Sequence, residues 1–106
     1  MAWVYLLLAG LLEVVWAFAM KQSEGFTRLV PSSISIAAML GSLGLLALAM
    51  RVVPLGTSYP VWTGIGAVGT FIAGIVFLGE TVSAMRIVAA AFIVVGLILM
   101  KAASPA

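Results

Sequence analysis

The chain has no cysteine and no histidine among its 106 residues, and only three acidic side chains. Without cysteine there is neither a disulfide framework nor a thiolate nucleophile. Without histidine, a histidine-liganded metal and a histidine general base are both excluded. Glu13, Glu24 and Glu80 are not spaced as a metal site, so no metal and no cofactor are expected. Charged residues make up 8% of the chain and hydrophobic residues 65%. A soluble domain of this size has too little interior to hide so much apolar surface, which leaves an integral membrane protein. Lys21, Arg28, Arg51, Arg86 and Lys101 all fall near expected helix ends. There they read as snorkelling or solvated anchors, not as a nucleic-acid surface.

What the sequence does have is long apolar runs. Four emerge, at about residues 2–20, 31–50, 57–78 and 85–100, separated by short charged or Gly/Pro-marked breaks. About 20 apolar residues cross the hydrocarbon core, so each run is a candidate membrane helix. Residues 1–106 therefore read as a single all-α domain of four transmembrane helices. Pro31 suits a helix first turn, and Arg51 with the Pro54-Leu55-Gly56 turn ends the second helix. The fourth run is short, so Arg86 is expected to reach back to the interface. Ala17-Phe18-Ala19 imitates a signal-peptidase site, but no basic residue precedes the run and Glu13 and Trp16 interrupt it. The first segment is expected to be retained.

Charge is nearly balanced across the membrane. Lys21, Arg28 and Arg86 fall on one side, and Arg51, Lys101 and the terminal amine on the other. Orientation follows an excess of positive charge on one face, and almost none exists here. The sequence thus permits insertion in both directions, although so small a count also allows a chance balance. Many transporters are inverted-topology repeats with a midplane site, and two oppositely inserted copies would supply that symmetry.

Glu13 lies in the middle of an otherwise uncharged run from Met1 to Met20. A carboxylate at the bilayer centre costs about 2.5–3.5 kcal/mol on insertion scales, which makes it a functional-site candidate and part of a proton or ion pathway. Leu6, Gly10, Glu13 and Ala17 share one helix face by their spacing, and Trp16 borders it. Gly10 and Ala17 leave room beside the carboxylate for a ligand or a partner helix. Ser42, on the second helix, either lines the site or bonds back to its own i−4 carbonyl.

On the third helix, Tyr59 and Trp62 share a face, followed by Gly66, Thr70 and Gly74 at four-residue steps. Small residues at that spacing allow close helix contact. Pro60, Gly64 and Gly66 make this the helix expected to bend as subunits open. Gly64, Gly66 and Gly69 match a dinucleotide-binding pattern by letter, but no strand precedes them. On the fourth helix, Ala89, Ala90, Ala91 and Gly96 offer a helix-packing surface, with Ala90 and Gly96 the expected dimer contacts.

Two stretches carry a family resemblance: Ala9-Gly10-Leu11-Leu12-Glu13-Val14-Val15-Trp16 and Gly56-Thr57-x-Tyr59-x-x-Trp62-Thr63-Gly64-Ile65-Gly66-Ala67. They resemble the small multidrug resistance family, in its guanidinium-exporter subtype, over essentially the whole chain. The resemblance implies an antiparallel homodimer of four-helix subunits in the bacterial inner membrane, with dual-topology insertion. It further implies proton-coupled export of guanidinium-type cations. Glu13 matches the essential carboxylate at which protons and substrate compete. Trp16, Ser42, Tyr59 and Trp62 match positions lining the guanidinium site, and the fourth helix matches the dimer-holding segment. Drug-exporting relatives typically carry Gly where Trp16 stands, whereas Pro60 departs from the Ala usual in the guanidinium subtype. A broader exporter of quaternary ammonium or hydrophobic cations is the alternative. A non-transporting accessory subunit and a channel are further classes. An intramembrane enzyme lacks any visible nucleophile–base pair.

Overall fold

The computed structural model describes residues 2–103. It consists of four helices, α1 (Ala2–Gln22), α2 (Leu29–Ala49), α3 (Leu55–Leu78) and α4 (Ala84–Ala103), with no strand among the described residues. All four are long and apolar enough to cross a membrane. Helices satisfy every backbone hydrogen bond within the segment, as hydrocarbon requires.

Helix ends differ in places from those expected of hydropathy alone. Leu55 and Gly56 belong to the first turn of α3, so the chain turns before them. Pro54 sits at the N-cap, and its carbonyl accepts from the N–H groups of Thr57 (3.0 Å) and Ser58 (2.8 Å). A residue lacking an N–H is tolerated at a helix start, where that donor has no intrahelical partner. α4 is helical over Ala84–Ala103 and is not short; Lys101 lies within it, its ammonium 4.8 Å over the Trp3 ring. Arg86, in the first turn of α4, donates from Nη1 to the Thr81 carbonyl at 3.1 Å.

The α1–α2 link turns on Ser23. Its hydroxyl donates to the Met20 carbonyl (2.6 Å) and accepts from the Phe26 N–H (3.0 Å), while its carbonyl accepts from the N–H groups of Thr27 and Arg28. Those bonds hold three consecutive left-handed residues, Glu24, Gly25 and Phe26, with φ of 51°, 77° and 65°. For the two non-glycine residues this conformation costs about 1–2 kcal/mol each.

α1 is the central element, packed on both α2 and α3, while α4 lies along α3. The α1–α3 contact depends on missing side chains. A Cβ on Gly10 would overlap Ile65, one on Gly69 would overlap Val14, and one on Gly66 would overlap the Glu13 carboxylate. Gly64 makes the corresponding approach to α4, where a Cβ would stand 2.7 Å from Leu97 Cδ2. Between membrane helices such close van der Waals packing replaces the hydrophobic effect as the source of association. α3 remains continuous through Pro60, Gly64 and Gly66.

The subunit is flat, with principal extents of 43 × 34 × 17 Å. Leu6, Ala9, Leu46, Ala49, Val53, Val61 and Trp62 form most of the core, and α4 contributes no buried residue. Gly10→Ala should therefore destabilise the subunit by about 1–3 kcal/mol, the cost of overpacking. Gly44→Ala, where nothing lies within 4 Å, should cause no loss. Reversible unfolding in detergent micelles measures both, and equal stabilities would contradict the packing described.

Candidate functional site

The Glu13 carboxylate lies at the α1–α3 contact, seated on the backbone of Gly66. Its Oε1 is buried and has no hydrogen-bond partner among the described residues. One turn further along α1, the Trp16 indole N–H is likewise buried without a partner. An unpartnered carboxylate oxygen and an unpartnered donor thus lie within one turn of α1, in the middle of a membrane-crossing helix. Groups left in that condition are costly, since each forfeits its water hydrogen bonds with nothing in exchange.

A polar relay binds the three helices around this turn. The Trp62 indole N–H donates to the Ser42 hydroxyl at 2.8 Å, and that hydroxyl donates to the Ala9 carbonyl at 2.6 Å. Ala9 stands four residues before Glu13, so its carbonyl is also the one that the Glu13 N–H faces in helical register. Ser42 therefore bonds across to α1 and not back to its own helix. Its single proton goes to Ala9, which leaves none for the Glu13 carboxylate in this arrangement. Tyr59 lies beside the relay, its ring centroid 5.6 Å from that of Trp62 at an angle of 52°, and is exposed. Trp62 itself is buried in the core, so Tyr59 is the more accessible of the two aromatic faces.

Of the two uses expected for the room at Gly10, a ligand or a partner helix, the structure shows a helix, because Ile65 of α3 fills that position. It is a helix contact. Gly66 and Gly64 serve the same purpose against Glu13 and Leu97. Pro60 is exposed on α3 one residue from Tyr59. Ala90 is half-buried beside a small cleft with Phe71 and Ile93, and Gly96 is exposed with no atom within 4 Å of a built Cβ. Gly96 is thus open to whatever surrounds the chain, and Ala90 partly so.

Ser35 was not singled out by sequence reasoning. Its hydroxyl donates to the Trp16 carbonyl at 2.8 Å, so α2 holds α1 through two serines seven residues apart, each bonded to an α1 carbonyl. The seven-residue spacing of Ser35 and Ser42, two turns along one face, was the available signal. Ser42→Ala strands the buried Trp62 indole N–H and should destabilise the subunit by about 1–2 kcal/mol. Ser42→Thr should preserve most of that stability. Micelle unfolding of the two variants tests the relay, which fails if alanine matches the wild type.

Comparison with known proteins follows the same residues. The sequence profile described as Small Multidrug Resistance protein matches residues 1–94. A guanidinium exporter of Citrobacter freundii is 56% identical over 101 residues, covering 95% of this chain and 96% of the relative. A guanidinium exporter of Yersinia pseudotuberculosis is 57% identical over 104 residues, covering 98% of this chain and all of the relative (100%). One from Escherichia coli O6:H1 is 56% identical over 101 residues. Four apolar spans and these relatives indicate a multi-pass protein of the bacterial inner membrane. The chain belongs to the small multidrug resistance family.

Proposed function

We propose that this protein exports guanidinium and related small guanidinyl cations in exchange for protons, by alternating access in an antiparallel homodimer. The observation that carries the proposal is the Glu13 carboxylate, with a buried, unpartnered oxygen seated on Gly66 inside a membrane-crossing helix. Such a group is satisfied by a proton or by a cation, and by only one of them at a time. Exclusive occupancy, exposed to each side of the membrane in turn, is antiport. The name borne by relatives 56–57% identical over nearly the full length supports guanidinium as the cation.

The chemistry around Glu13 supports the same substrate. Guanidinium is planar and presents N–H donors in a fork that pairs with a carboxylate through two parallel bonds. Tyr59 offers an exposed ring, and Trp16 borders the carboxylate by helical spacing; an aromatic face contributes about 0.5–2 kcal/mol to a cation above it. Trp62 and Ser42 act one step back. Their relay fixes the position of α3 against the turn of α1 that carries Glu13. The indole at Trp16 fills volume that a bulkier quaternary ammonium ion would need, which favours the small planar cation.

Pairing of two copies is supported by the shape of one. The subunit is flat, and α4 presents Ala90 and Gly96 on a helix with no buried residue. The near-balance of Lys21, Arg28 and Arg86 against Arg51, Lys101 and the terminal amine permits the second copy to insert upside down. In that pair the two Glu13 carboxylates face one cavity and titrate with values belonging to the pair. Pro60, Gly64 and Gly66 give α3 the freedom to flex as the cavity changes sides.

Adding guanidinium to the purified, weakly buffered protein in detergent should release protons, and Glu13→Gln should abolish both the release and the binding. Proton release that persists in Glu13→Gln would overturn the role of this residue.

A further inference from the structure

Beyond Glu13, the α1–α3 crevice continues towards the loop ends as a cavity of about 400 Å³. Ala17, Lys21, Thr70, Phe71, Glu80 and Arg86 are among its walls. Ala17 and Thr70 stand one turn beyond Glu13 and Gly66 on their helices, so this is the next space along the same crevice. The site around Glu13 does not use it.

Two features give this mouth a specific chemistry. First, a carboxylate is bent inward over it. Gly79 takes a left-handed conformation (φ 66°) at the end of α3, and the Glu80 N–H donates to the Gly74 carbonyl at 3.0 Å. The Glu80 carboxylate then rests on Gly74, in a cradle that a Cβ at that position would fill. Second, the mouth already holds a guanidinium. The Arg86 side chain comes from the first turn of α4, with Cζ 5.6 Å from the Phe71 ring centroid and Nη1 donating to the Thr81 carbonyl at 3.1 Å. The Arg86 guanidinium takes an aromatic face and a carbonyl acceptor, and the Glu80 carboxylate lining the same cavity completes the set that recognises a free guanidinium.

We propose that this mouth is an outer guanidinium station, occupied at rest by the Arg86 side chain, which a free guanidinium ion displaces on its way between Glu13 and water. The proposal rests on the guanidinium reading of function above. Arg86 is exposed, so its side chain has open space in which to swing aside. Exchange of one monovalent guanidinium for another leaves the charge of the mouth unchanged, so it requires no new counter-ion. Lys21, also at the mouth, keeps the station weak, as conduction through a series of sites requires. Arg86 is thus a built-in competitor, and Glu80 with Phe71 is the receiving surface.

Guanidinium uptake into proteoliposomes, measured across a range of concentrations, tests the station. Removing the competitor with Arg86→Ala should lower KM by about two- to fivefold, the size of an exposed cation–π contact. Glu80→Gln should raise KM by a similar factor. In the Glu80→Gln background, Arg86→Ala should no longer lower KM, because the vacated station then lacks its carboxylate. Arg86→Lys keeps a positive charge at the helix start without the planar fork, and should lower KM part of the way even if the alanine variant is poorly recovered. An unchanged KM in Arg86→Ala and Arg86→Lys, or a decrease that persists undiminished with Glu80→Gln, would overturn the station while leaving export intact. Wild-type protein that takes up no guanidinium would overturn the functional reading itself, and the station with it.

Discussion

A carboxylate pressed against bare helix backbone within the membrane is the constraint around which the rest of this subunit is arranged. Glu13 comes this close to α3 only because residue 66 is glycine, and Gly10 and Gly69 let the two helices approach on either side of that contact. The same turn of α1 is held from α2 through Ser42, whose hydroxyl also fixes the Trp62 indole. Three helices thus converge on one ionisable group and leave its Oε1 unsatisfied. In a medium that punishes unpartnered polar atoms, such an arrangement persists where a proton or a ligand completes it.

Elsewhere the fold is thin: one helix contributes no fully buried residue, and large apolar side chains such as Phe77, Met85 and Phe92 face outward. Lipid can cover those residues as well as protein can, so apolar exposure alone does not identify a partner. Small residues on α4 and the near-balance of positive charge, three basic residues against two and the terminal amine, are the grounds on which a second, inverted copy is proposed. The mouth formed by Phe71, Glu80 and Arg86 extends the same logic outward, since it presents a cation with the same kind of partners twice along one crevice.

Much of this was legible in the sequence. Composition alone gives the membrane, hydropathy gives four spans, and the depth of Glu13 in its run marks the central group. What periodicity gives is a face; it does not say what the face meets. The small Gly10 leaves room for a ligand or a partner helix, and Ile65 of α3 takes that room, because the crossing of two helices is set by packing along their whole length. Ser42 had two plausible acceptors, and only the position of α1 decides for the Ala9 carbonyl. The start of α3 at Leu55 depends on the Pro54 cap, which hydropathy does not report. Glu80 carried no sequence signal at all, because its inward turn comes from the left-handed Gly79 and the space above Gly74.

Exchange of protons for a cation is the central claim, and its energetic signature is movement against a gradient. Liposomes containing the protein, acidic inside and alkaline outside, should accumulate labelled guanidinium above the external concentration, and a protonophore should collapse the accumulation. Guanidinium that only equilibrates across the membrane, whatever the proton gradient, would contradict the account.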